Sequence, residues 1–507
     1  MPASSAFKPR LDYSKLSSAF SHGVRPADFP ETRLRFWNDR WAQRLGLGEL
    51  TTEEKTLHFA RFKPFAGAQP EPLAMKYHGH QFRHYNPQLG DGRGFLFSQA
   101  EDLVDGRLLD FGTKGSGQTP YSRAGDGRLT LKGAVREALA TEMLEALGVN
   151  TSKTFCFFET GEALERGDEP SPTRSAVLTR LSHGHIRYGT FQRLAVTGEK
   201  ELMRELVDYS VRVFFPNLIS VSAEEKHFLM LERIVAGAAD LAASWMIAGF
   251  VHGVLNTDNL NITGESFDYG PWRFLPRYEP EFTAAYFDHE GLYSYARQPE
   301  AVYWNLDQLA RSLHVMVQVG QETAWHDRFV SILEQFPIHF QRCLIQKFFL
   351  RLGFECPIEK PTDEAFGEEL FTLTFKALGE SKVGFENFFY DWYGGSLRSF
   401  DKASANVGLN RDVGHISDYN SSNFSELTKL FDRLLRKKKI ILDKETPTRL
   451  SSDYYRRGRP ETILIEEVEN IWSSIDQNDD WSAFDLKIAA MRERGRIHGY
   501  GTSAGHS

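Results

Sequence analysis

Apolar residues at helical spacing predict helices in several parts of the chain. Between residues 130 and 147 they recur every three or four positions, and Gly148 follows, which is typical of an amphipathic helix and its end. The same spacing predicts long helices over 199–214, 223–252 and 303–318. Residues 33–60 are also expected to be helical, as is most of the chain beyond about residue 340, whereas 259–270 reads as a short hairpin-like piece.

Strands and turns are predicted between about residue 74 and residue 182. A glycine-rich turn, GDGRG, comes first, at 90–94. Asp105 and Gly106 then form a pair that is typical of a two-residue hairpin turn. The strands on either side of that pair, and two strands that follow the 130–147 helix, are predicted at 94–99, 107–112, 154–159 and 175–181.

Composition places the chain among soluble globular proteins. Of its 507 residues, 41% are hydrophobic and 25% are charged, which argues against a disordered, fibrous or membrane-spanning class. The net charge of −8 is mild for this length. Only three cysteines occur, Cys156, Cys343 and Cys356, which are too few for a disulfide framework, so we expect a reducing compartment.

Two segments bear on location. The first ten residues lack an apolar core and a cleavage pattern, so a secreted protein is not expected. We expect a cytoplasmic protein, or a mitochondrial one if the source is eukaryotic. Residues 234–255 are long enough to span a bilayer, but Asp240, several small residues and the lack of a basic or aromatic belt favour a buried core helix and no membrane contact.

The glycine-rich turn is suited to bringing backbone N–H groups close to a phosphate. Gly90, Gly92 and Gly94 carry no side chain that blocks such an approach, and Arg93 adds a positive charge. An ordinary tight turn is the alternative. No helix follows directly, so this is not a dinucleotide-binding fingerprint, and KGSGQT at 114–119 has its lysine before the glycines, unlike a P-loop.

Lys114 and Glu137 strengthen the nucleotide hypothesis. A lysine on the strand after a glycine loop, with a glutamate on the next helix, is the arrangement that holds ATP phosphates in protein kinases. Glu137 follows Lys114 by 23 positions, which a loop and the first turns of a helix accommodate. The alternative is a solvated lysine and an ordinary glutamate on a helix surface.

The strongest chemical signal lies in HGVLNTDN at 252–259 and DYG at 268–270. A carboxylate such as Asp258, on a loop that follows a buried helix, can accept a proton from a hydroxyl group. Asn259 and Asp268 supply oxygen ligands of the kind that Mg²⁺ takes together with phosphate oxygens. Two Asx turns are the alternative. In protein kinases the corresponding Asp and Asn lie five positions apart, whereas here they are adjacent.

Two arginines add donors for phosphate. Arg180 ends the predicted strand AVLTR, and Arg187 lies seven positions later in HIRYG. A guanidinium group can donate two parallel hydrogen bonds to phosphate oxygens, although surface salt bridges are the alternative. A basic run at 433–439 is expected to be a solvated helix face rather than a nucleic-acid site, because the chain is acidic overall.

The histidines raise the alternative of a zinc site. Two short motifs, HGHQFRH and HGH, contain His78, His80, His84, His183 and His185. A zinc site needs converging ligands with supporting hydrogen bonds, and histidines two positions apart are common in loops. We therefore expect hydrogen-bonded loop histidines rather than a zinc site.

Several motifs resemble the selenoprotein O / YdiU family of protein adenylyltransferases. They are YHGHQF, YNPQLGDGRG, KGSGQTPYSRAGDGR, AVLTR, HIRYG, FVHGVLNTDN, DYGP and WNLDQLA. The similarity is dense from about residue 75 to residue 315 and too thin beyond about residue 360 to transfer residue roles.

The resemblance implies an α+β, protein-kinase-like fold with a β-rich N-lobe, a helical C-lobe and extra helical segments at both ends. The implied divisions are an N-terminal extension, an N-lobe, a C-lobe with the catalytic loop and a C-terminal helical region, over 1–74, 75–190, 191–345 and 346–507. The implied activity transfers AMP, from ATP bound in a flipped orientation, to Ser, Thr or Tyr hydroxyls of proteins and releases pyrophosphate. Mg²⁺, or Mn²⁺ in its place, is the implied cofactor.

The resemblance also assigns roles to residues. Asp258 would be the proton acceptor, and Glu137 would pair with Lys114. Asn259 and Asp268 would hold the metal. The residues implied to bind ATP are Gly90, Gly92, Arg93, Lys114, Asp126, Gly127, Arg180, Arg187 and Asp268.

This chain departs from the family pattern in three places. FRHYNPQLG stands where FGVYNPQLG is usual, which places Arg83 and His84 near the nucleotide loop. No cysteine follows the DYG motif, and the C-terminal GRIHGYGTSAGHS has neither cysteine nor selenocysteine, so the residues for redox control are absent there. A kinase-type γ-phosphotransferase and an inactive nucleotide-binding scaffold remain the alternatives, and the sequence does not identify protein substrates.

Overall fold

A nine-stranded sheet and many of the helices pack around a large hydrophobic core, and smaller clusters of buried apolar residues lie beside it. The computed structural model describes residues 6–167, 169–355, 361–395 and 418–501. The strands are β1 (Pro9–Arg10), β2 (Ser21–Gly23), β3 (Arg33–Trp37), β4 (Leu73–Met75), β5 (Gly79–Gln81), β6 (His84–Asn86), β7 (Leu96–Glu101), β8 (Leu108–Lys114), β9 (Leu129–Thr130), β10 (Lys153–Leu164), β11 (Thr173–Ser182), β12 (Phe250–Val251) and β13 (Arg273–Phe274).

The sheet is antiparallel, with strand order β2-β4-β7-β8-β11-β10-β3, and β1 and β9 add to β7 and β11. The hairpin predicted on either side of Asp105 is confirmed, because β7 pairs with β8 and Gln99 lies opposite Asp110. Its connection is longer than the expected two residues and spans 102–107. The predicted strands at 154–159 and 175–181 are also confirmed and lie in β10 and β11.

Residues 33–37 form strand β3, so the helix expected over 33–60 is wrong at its start. In β3, Phe36 lies opposite Phe157 of β10, and the two rings stack with centroids 5.7 Å apart. Pairing with a strand far along the chain therefore overrides the local helical spacing. Helices occupy only 39–44 and 52–59, and the segment before residue 74 adds strands to the main sheet.

The structure confirms most of the predicted helices. They are α1 (Asp39–Arg44), α2 (Thr52–Phe59), α3 (Leu131–Ala146), α4 (Tyr188–Val196), α5 (Lys200–Phe214), α6 (Ala223–Ala248), α7 (Gln298–Leu313), α8 (Glu322–Leu333), α9 (Gln335–Arg351), α10 (Pro361–Gly379), α11 (Phe385–Asp391), α12 (Ser422–Arg436), α13 (Thr446–Leu450), α14 (Asp453–Arg456), α15 (Ile465–Asn478) and α16 (Ser482–Ile497). Helix α6 ends before the predicted residue 252, because Gly249 adopts a left-handed φ of 63°.

Helix α3 carries one half of the predicted Lys–Glu pair. Its N-terminus is capped by Thr130, whose side chain accepts a hydrogen bond of 3.1 Å from the Gly133 N–H. The helix packs between β10 and β11 on one side and α16 on the other. Val135 and Leu139 are fully buried. This packing fixes Glu137, which is 1% exposed, against the sheet.

The hairpin expected over 259–270 is not formed. Asn261 instead forms a β-bridge with Arg187, and Ser266 forms one with Thr151, while the pairing strands of this region are β12 and β13 outside the segment. Residues 258–268 are therefore held against distant parts of the chain. This arrangement places the segment near the end of the sheet where β10 begins and β11 ends.

The structure also locates the apolar stretch, the cysteines and the basic run. The apolar stretch 234–255 lies largely in buried helix α6, and none of the helices in the described ranges is long and apolar enough to cross a membrane. Cys156 is buried and Cys343 is partly buried, and both are free thiols, whereas Cys356 lies outside the described residues. In the basic run, Arg433 pairs with Glu369 at 2.8 Å on the surface.

Candidate active site

A cavity of about 710 Å³ opens between the sheet and the loops that follow α6. It brings together nearly all the residues predicted to bind nucleotide, although they come from five separate segments. Those that line it are Gly90, Gly92, Arg93, Lys114, Asp126, Gly127, Arg180, Arg187, Asp258 and Asp268. Glu137 and Asn259 do not line it, although Glu137 contacts Lys114, which does.

The glycine loop is packed so closely that no side chain fits at Gly90 or Gly94. A Cβ atom at Gly94 would lie 2.0 Å from the carbonyl oxygen of Thr113, and one at Gly90 would lie 2.3 Å from the ring of Tyr121. The Gly115 N–H donates a 2.6 Å hydrogen bond to the Arg93 carbonyl. The loop is thus fixed against the end of β8, where its backbone lines the cavity.

Two hydroxyl groups anchor this loop. Thr119 and Ser122 each donate a 2.5 Å hydrogen bond, to the carbonyl oxygens of Asp91 and Gly92 respectively. Neither residue was predicted from the sequence, although both stand in the motif KGSGQTPYSR. A Thr and a Ser in a turn-rich segment could have indicated this role, because hydroxyls there commonly bond to nearby backbone.

Lys114 ends strand β8 and lies beneath the cavity. Its Nζ is 2.7 Å from Glu137 Oε2 and 3.1 Å from Asp268 Oδ1. Both residues of the pair are buried, with exposures of 4% for Lys114 and 1% for Glu137. The predicted ion pair therefore forms, and Asp268 shares the same ammonium group.

Asp268 is surrounded by cations. Besides Lys114, Arg180 Nη1 lies 3.4 Å from Oδ1 and Arg187 Nη1 lies 3.8 Å from Oδ2. Burial alone would raise the pKa of Asp268, but Lys114 and the two arginines hold it well below its ordinary value. Its φ of 66° is unusual for a residue other than glycine. The carboxylate is therefore ionised and aimed into the cavity by a strained backbone.

Arg187 connects the glycine loop with the catalytic loop. Its Nη1 donates a 2.7 Å hydrogen bond to the backbone carbonyl of Asp258, and its Nη2 lies 3.5 Å from Asp91 Oδ1. The guanidinium carbon lies 4.5 Å from the ring centroid of Tyr77 and 4.9 Å from that of Phe267. The two rings fix its plane, so the position of this charge is preset.

Asp258 sits in a 3₁₀ turn, Thr257–Asn259, and is 8% exposed. Its Oδ1 atom is buried, and no residue that the structure describes bonds to it. Burial raises the pKa of Asp258 to about 6, although Arg187 acts in the opposite direction. Near neutral pH the group is therefore an ionised acceptor of moderate basicity, as proton abstraction from a hydroxyl requires.

The two residues implied as metal ligands are placed differently. Asp268 lines the cavity, whereas Asn259 does not, and the Asn259 Nδ2 donates a 3.0 Å hydrogen bond to the Val254 carbonyl. Within the described parts of the chain, no three His, Cys, Asp or Glu side chains cluster in a way that could hold a metal ion. A few oxygen ligands, completed by phosphate oxygens and water, still fit the coordination habit of Mg²⁺.

A family model described as "Protein adenylyltransferase SelO" matches residues 3–492. The chain belongs to the SelO family. A relative named "Protein nucleotidyltransferase YdiU" from Gloeobacter violaceus is 43% identical over 493 residues, covering 96% of this chain and 95% of its own length. Relatives of the same name from Trichormus variabilis and Synechocystis are 41% and 39% identical and also cover 96% of this chain. This SelO family member is therefore a nucleotidyltransferase.

The rim of the cavity in this SelO protein contains Asp126 and Gly127. Asp126 is ion-paired with Arg166 at 2.9 Å, and its side chain is 47% exposed. Gly127 has a φ of 70°, and a Cβ atom there would lie 2.3 Å from the carbonyl carbon of Gly117. Arg166 also lines the cavity and was missed, because it lies on a loop between two strands with no motif around it.

Several histidines of this SelO protein are hydrogen-bonded, although His80 and His84 lie in strands β5 and β6 rather than in the expected loops. His78 Nδ1 lies 2.6 Å from the hydroxyl of Tyr85, and His183 Nδ1 lies 2.8 Å from the carbonyl of Leu108. His84 is exposed. Arg83 extends to α7, where it pairs with Glu300 at 3.1 Å. Neither Arg83 nor His84 lines the cavity.

Proposed function

We propose that this SelO family member transfers AMP from ATP to Ser, Thr or Tyr hydroxyls of proteins and releases pyrophosphate. The observation that carries the proposal is Asp258, a carboxylate that lines one cavity together with the cations Lys114, Arg180 and Arg187. An acceptor for a proton and donors for phosphate thus lie in one cavity, and the family name supports the same chemistry.

Asp258 is proposed to accept the proton of the attacking hydroxyl group. The hydroxyl oxygen forms a bond to the α-phosphorus of ATP, the bond from that phosphorus to the oxygen bridging to the β-phosphorus breaks, and pyrophosphate leaves with the bonding electrons. Arg180 and Lys114 neutralise the charge that develops on the leaving group. Arg187 fixes the Asp258 backbone through its 2.7 Å hydrogen bond.

Asn259 and Asp268 are proposed to hold Mg²⁺, with Mn²⁺ as the alternative ion. When bound, such an ion offsets the charge of the phosphate oxygens. The ionised state of Asp268 supports this role, because a metal ligand must be deprotonated. Lys114 then keeps its contact with Glu137, which holds the ammonium group at the cavity floor.

A protein-kinase-like division into two lobes is proposed for the fold. The strands over 75–190 together with α3 correspond to the N-lobe, and the helices over 191–345 correspond to the C-lobe. Strands β1, β2 and β3 of the proposed N-terminal extension add to the same sheet. The Lys114–Glu137 contact of 2.7 Å between a sheet strand and the helix after it supports this assignment. Residues 1–74 and 346–507 are the proposed terminal extensions.

Labelled ATP tests the proposal directly. Purified chain is incubated with Mg²⁺, a protein acceptor such as casein, and ATP labelled at either the α- or the γ-phosphate. Label from the α position is expected in the chain itself or in the acceptor. Label from the γ position alone would indicate a kinase-type phosphotransferase, and ATP binding without either transfer would indicate an inactive scaffold. Both outcomes contradict the proposal.

A further inference from the structure

The turn that carries Asp258 is closed against β5 by a ring of three hydrogen bonds. The His80 backbone N–H donates to Thr257 Oγ1 at 2.7 Å, and the Thr257 hydroxyl donates to Gln192 Oε1 at 2.6 Å. Gln192 Nε2 lies 2.8 Å from His80 Nδ1 and completes the ring. Thr257 and Gln192 are buried, with exposures of 0% and 3%.

The placement of the Gln192 amide sets the direction of the bonds in this ring. With its oxygen toward Thr257, the Thr257 hydroxyl accepts from the His80 N–H and donates to Gln192 Oε1. The amide nitrogen of Gln192 then donates to His80 Nδ1, and the imidazole is neutral. Burial lowers the pKa of His80, in agreement with a neutral ring. A closed, fully satisfied polar network of this kind holds one arrangement.

The ring connects three elements that meet at the candidate base. His80 belongs to the β5–β6 hairpin that precedes the glycine loop, and Gln192 belongs to α4, which begins directly after Arg187. Thr257 is the chain neighbour of Asp258. The ring therefore ties the hairpin and the arginine helix to the turn.

Asp258 Oδ1 is held by packing rather than by hydrogen bonds. Within the described ranges nothing bonds to this buried atom, so its position depends on the turn that carries it. Strand β5 approaches that turn closely, because a Cβ atom at Gly79 would lie 3.0 Å from Thr257 Oγ1 and 3.2 Å from Asp258 Oδ1. Any loosening of the Thr257 contact would therefore move the carboxylate.

We propose that Thr257, Gln192 and His80 are positioning residues that hold Asp258 in place for proton transfer. The proposal rests on the proposed function, because it gives the ring a role in that reaction. None of the three lines the cavity, so their effect on ATP binding should be small. A displacement of about 1 Å in a reacting group costs on the order of 100-fold in rate.

Thr257→Val and Thr257→Ser test the proposal as a pair. Valine keeps the shape but removes the hydroxyl, whereas serine retains it. With α-labelled ATP, and the chain itself and casein as acceptors, Thr257→Val should lower kcat by about 10- to 100-fold without raising the KM for ATP. Thr257→Ser should restore most of the rate. Thr197→Val, at the exposed C-terminal end of helix α4, which carries Gln192, is the matched control and should leave kcat unchanged.

Gln192→Leu provides a second, independent break in the ring. It should lower kcat in the same way and should not add to the effect of Thr257→Val in the double variant. Full kcat in folded Thr257→Val, additive effects, or a loss that appears only as a raised KM for ATP would overturn the positioning role. No α-label transfer by the unaltered chain would instead overturn the proposed function, and this inference with it.

Discussion

Two arginines on strand β11 have opposite surroundings. Arg174 makes hydrogen bonds of 2.7 to 2.9 Å to Glu159 and one of 2.8 Å to Asp479, and Arg35 bonds to the same two carboxylates. Arg180, six positions along, comes no closer than 3.4 Å to Asp268 and 3.9 Å to Glu137. The first cluster satisfies its charges internally, whereas the second leaves donors available to a cavity.

This difference separates a structural cluster from a candidate functional one. In the first cluster Arg174 and Arg35 both meet Glu159 and Asp479, and Arg174 also donates to the Ile475 carbonyl at 2.8 Å, which fastens α15 to the sheet. In the second cluster, Arg180 Nη1 comes no closer than 3.4 Å to a carboxylate of the described residues, and Arg180 lines the cavity. A guanidinium group without a close carboxylate partner keeps donors available for phosphate oxygens.

Asp258→Asn should have the largest effect. The amide cannot accept the hydroxyl proton but keeps the shape of the side chain, so AMP transfer should fall by about 10²- to 10⁴-fold while ATP binding and folding persist. Transfer of α-label and thermal unfolding of the same preparation check this. Asp208→Asn, at an exposed ion pair with Lys226, is the control. Transfer that persists in Asp258→Asn would remove this residue from the reaction.

Arg180→Gln should come next. Loss of one preset donor to the developing charge is expected to lower kcat by about 10²- to 10³-fold, with a small effect on unfolding. Single-turnover transfer with saturating ATP measures it. If Arg180→Gln lowered the unfolding temperature as much as Arg174→Gln and spared kcat, the contrast between the two arginines would fail.

The two clusters should also respond at different pH values. Asp258 must be ionised to accept a proton, and its pKa in the free protein is raised to about 6, so kcat/KM should fall about tenfold per pH unit below 6. Burial opposes ionisation of Glu159, but Arg174 and Arg35 lower its pKa overall. Its contribution to stability is therefore fully present above the unfolded pKa of about 4.3 and is lost only as pH falls through the lower folded value.

A pH series of AMP transfer and thermal unfolding separates these effects. Activity should be lost between about pH 6 and pH 4.5 while the chain remains folded. Simultaneous loss of activity and structure would show that the acid limb of the rate profile reports unfolding rather than Asp258.

Arg174→Gln should have the smallest effect on catalysis. It removes hydrogen bonds to partly buried carboxylates, so the free energy of unfolding should fall by about 1–3 kcal/mol. The kcat of the folded fraction should stay unchanged. Denaturant unfolding together with transfer of α-label measures both. A loss of kcat in fully folded Arg174→Gln would place the structural cluster in the reaction.

The fold could be predicted wherever one element's own pattern was sufficient. Helix α3 and the β7–β8 hairpin followed from apolar spacing and the Asp105–Gly106 turn. The strand at 33–37 and the loop at 259–270 could not, because their partners, β10 and Thr151, are distant in sequence. Local spacing carries no information about such contacts.

The site could be predicted where charged residue types, in a given order of elements, indicate a chemical role. Lys114 and Glu137 could be paired from element order, and their Nζ–Oε2 distance of 2.7 Å confirms the contact. The hydroxyls of Thr119 and Thr257 were missed, because a threonine has no distinctive pattern until its partner is known. Their bonds reach the glycine loop and His80, which only the folded chain brings within range.

The balance between pyrophosphate and labelled protein tests the central claim most directly. Unaltered chain with Mg²⁺, ATP and casein is assayed for pyrophosphate, ADP and protein-bound AMP in one reaction, with Asp258→Asn alongside. Adenylyl transfer predicts one pyrophosphate released for each AMP bound to protein, no ADP, and loss of both products in Asp258→Asn. ADP formed in step with phosphorylated protein, without pyrophosphate, would contradict it.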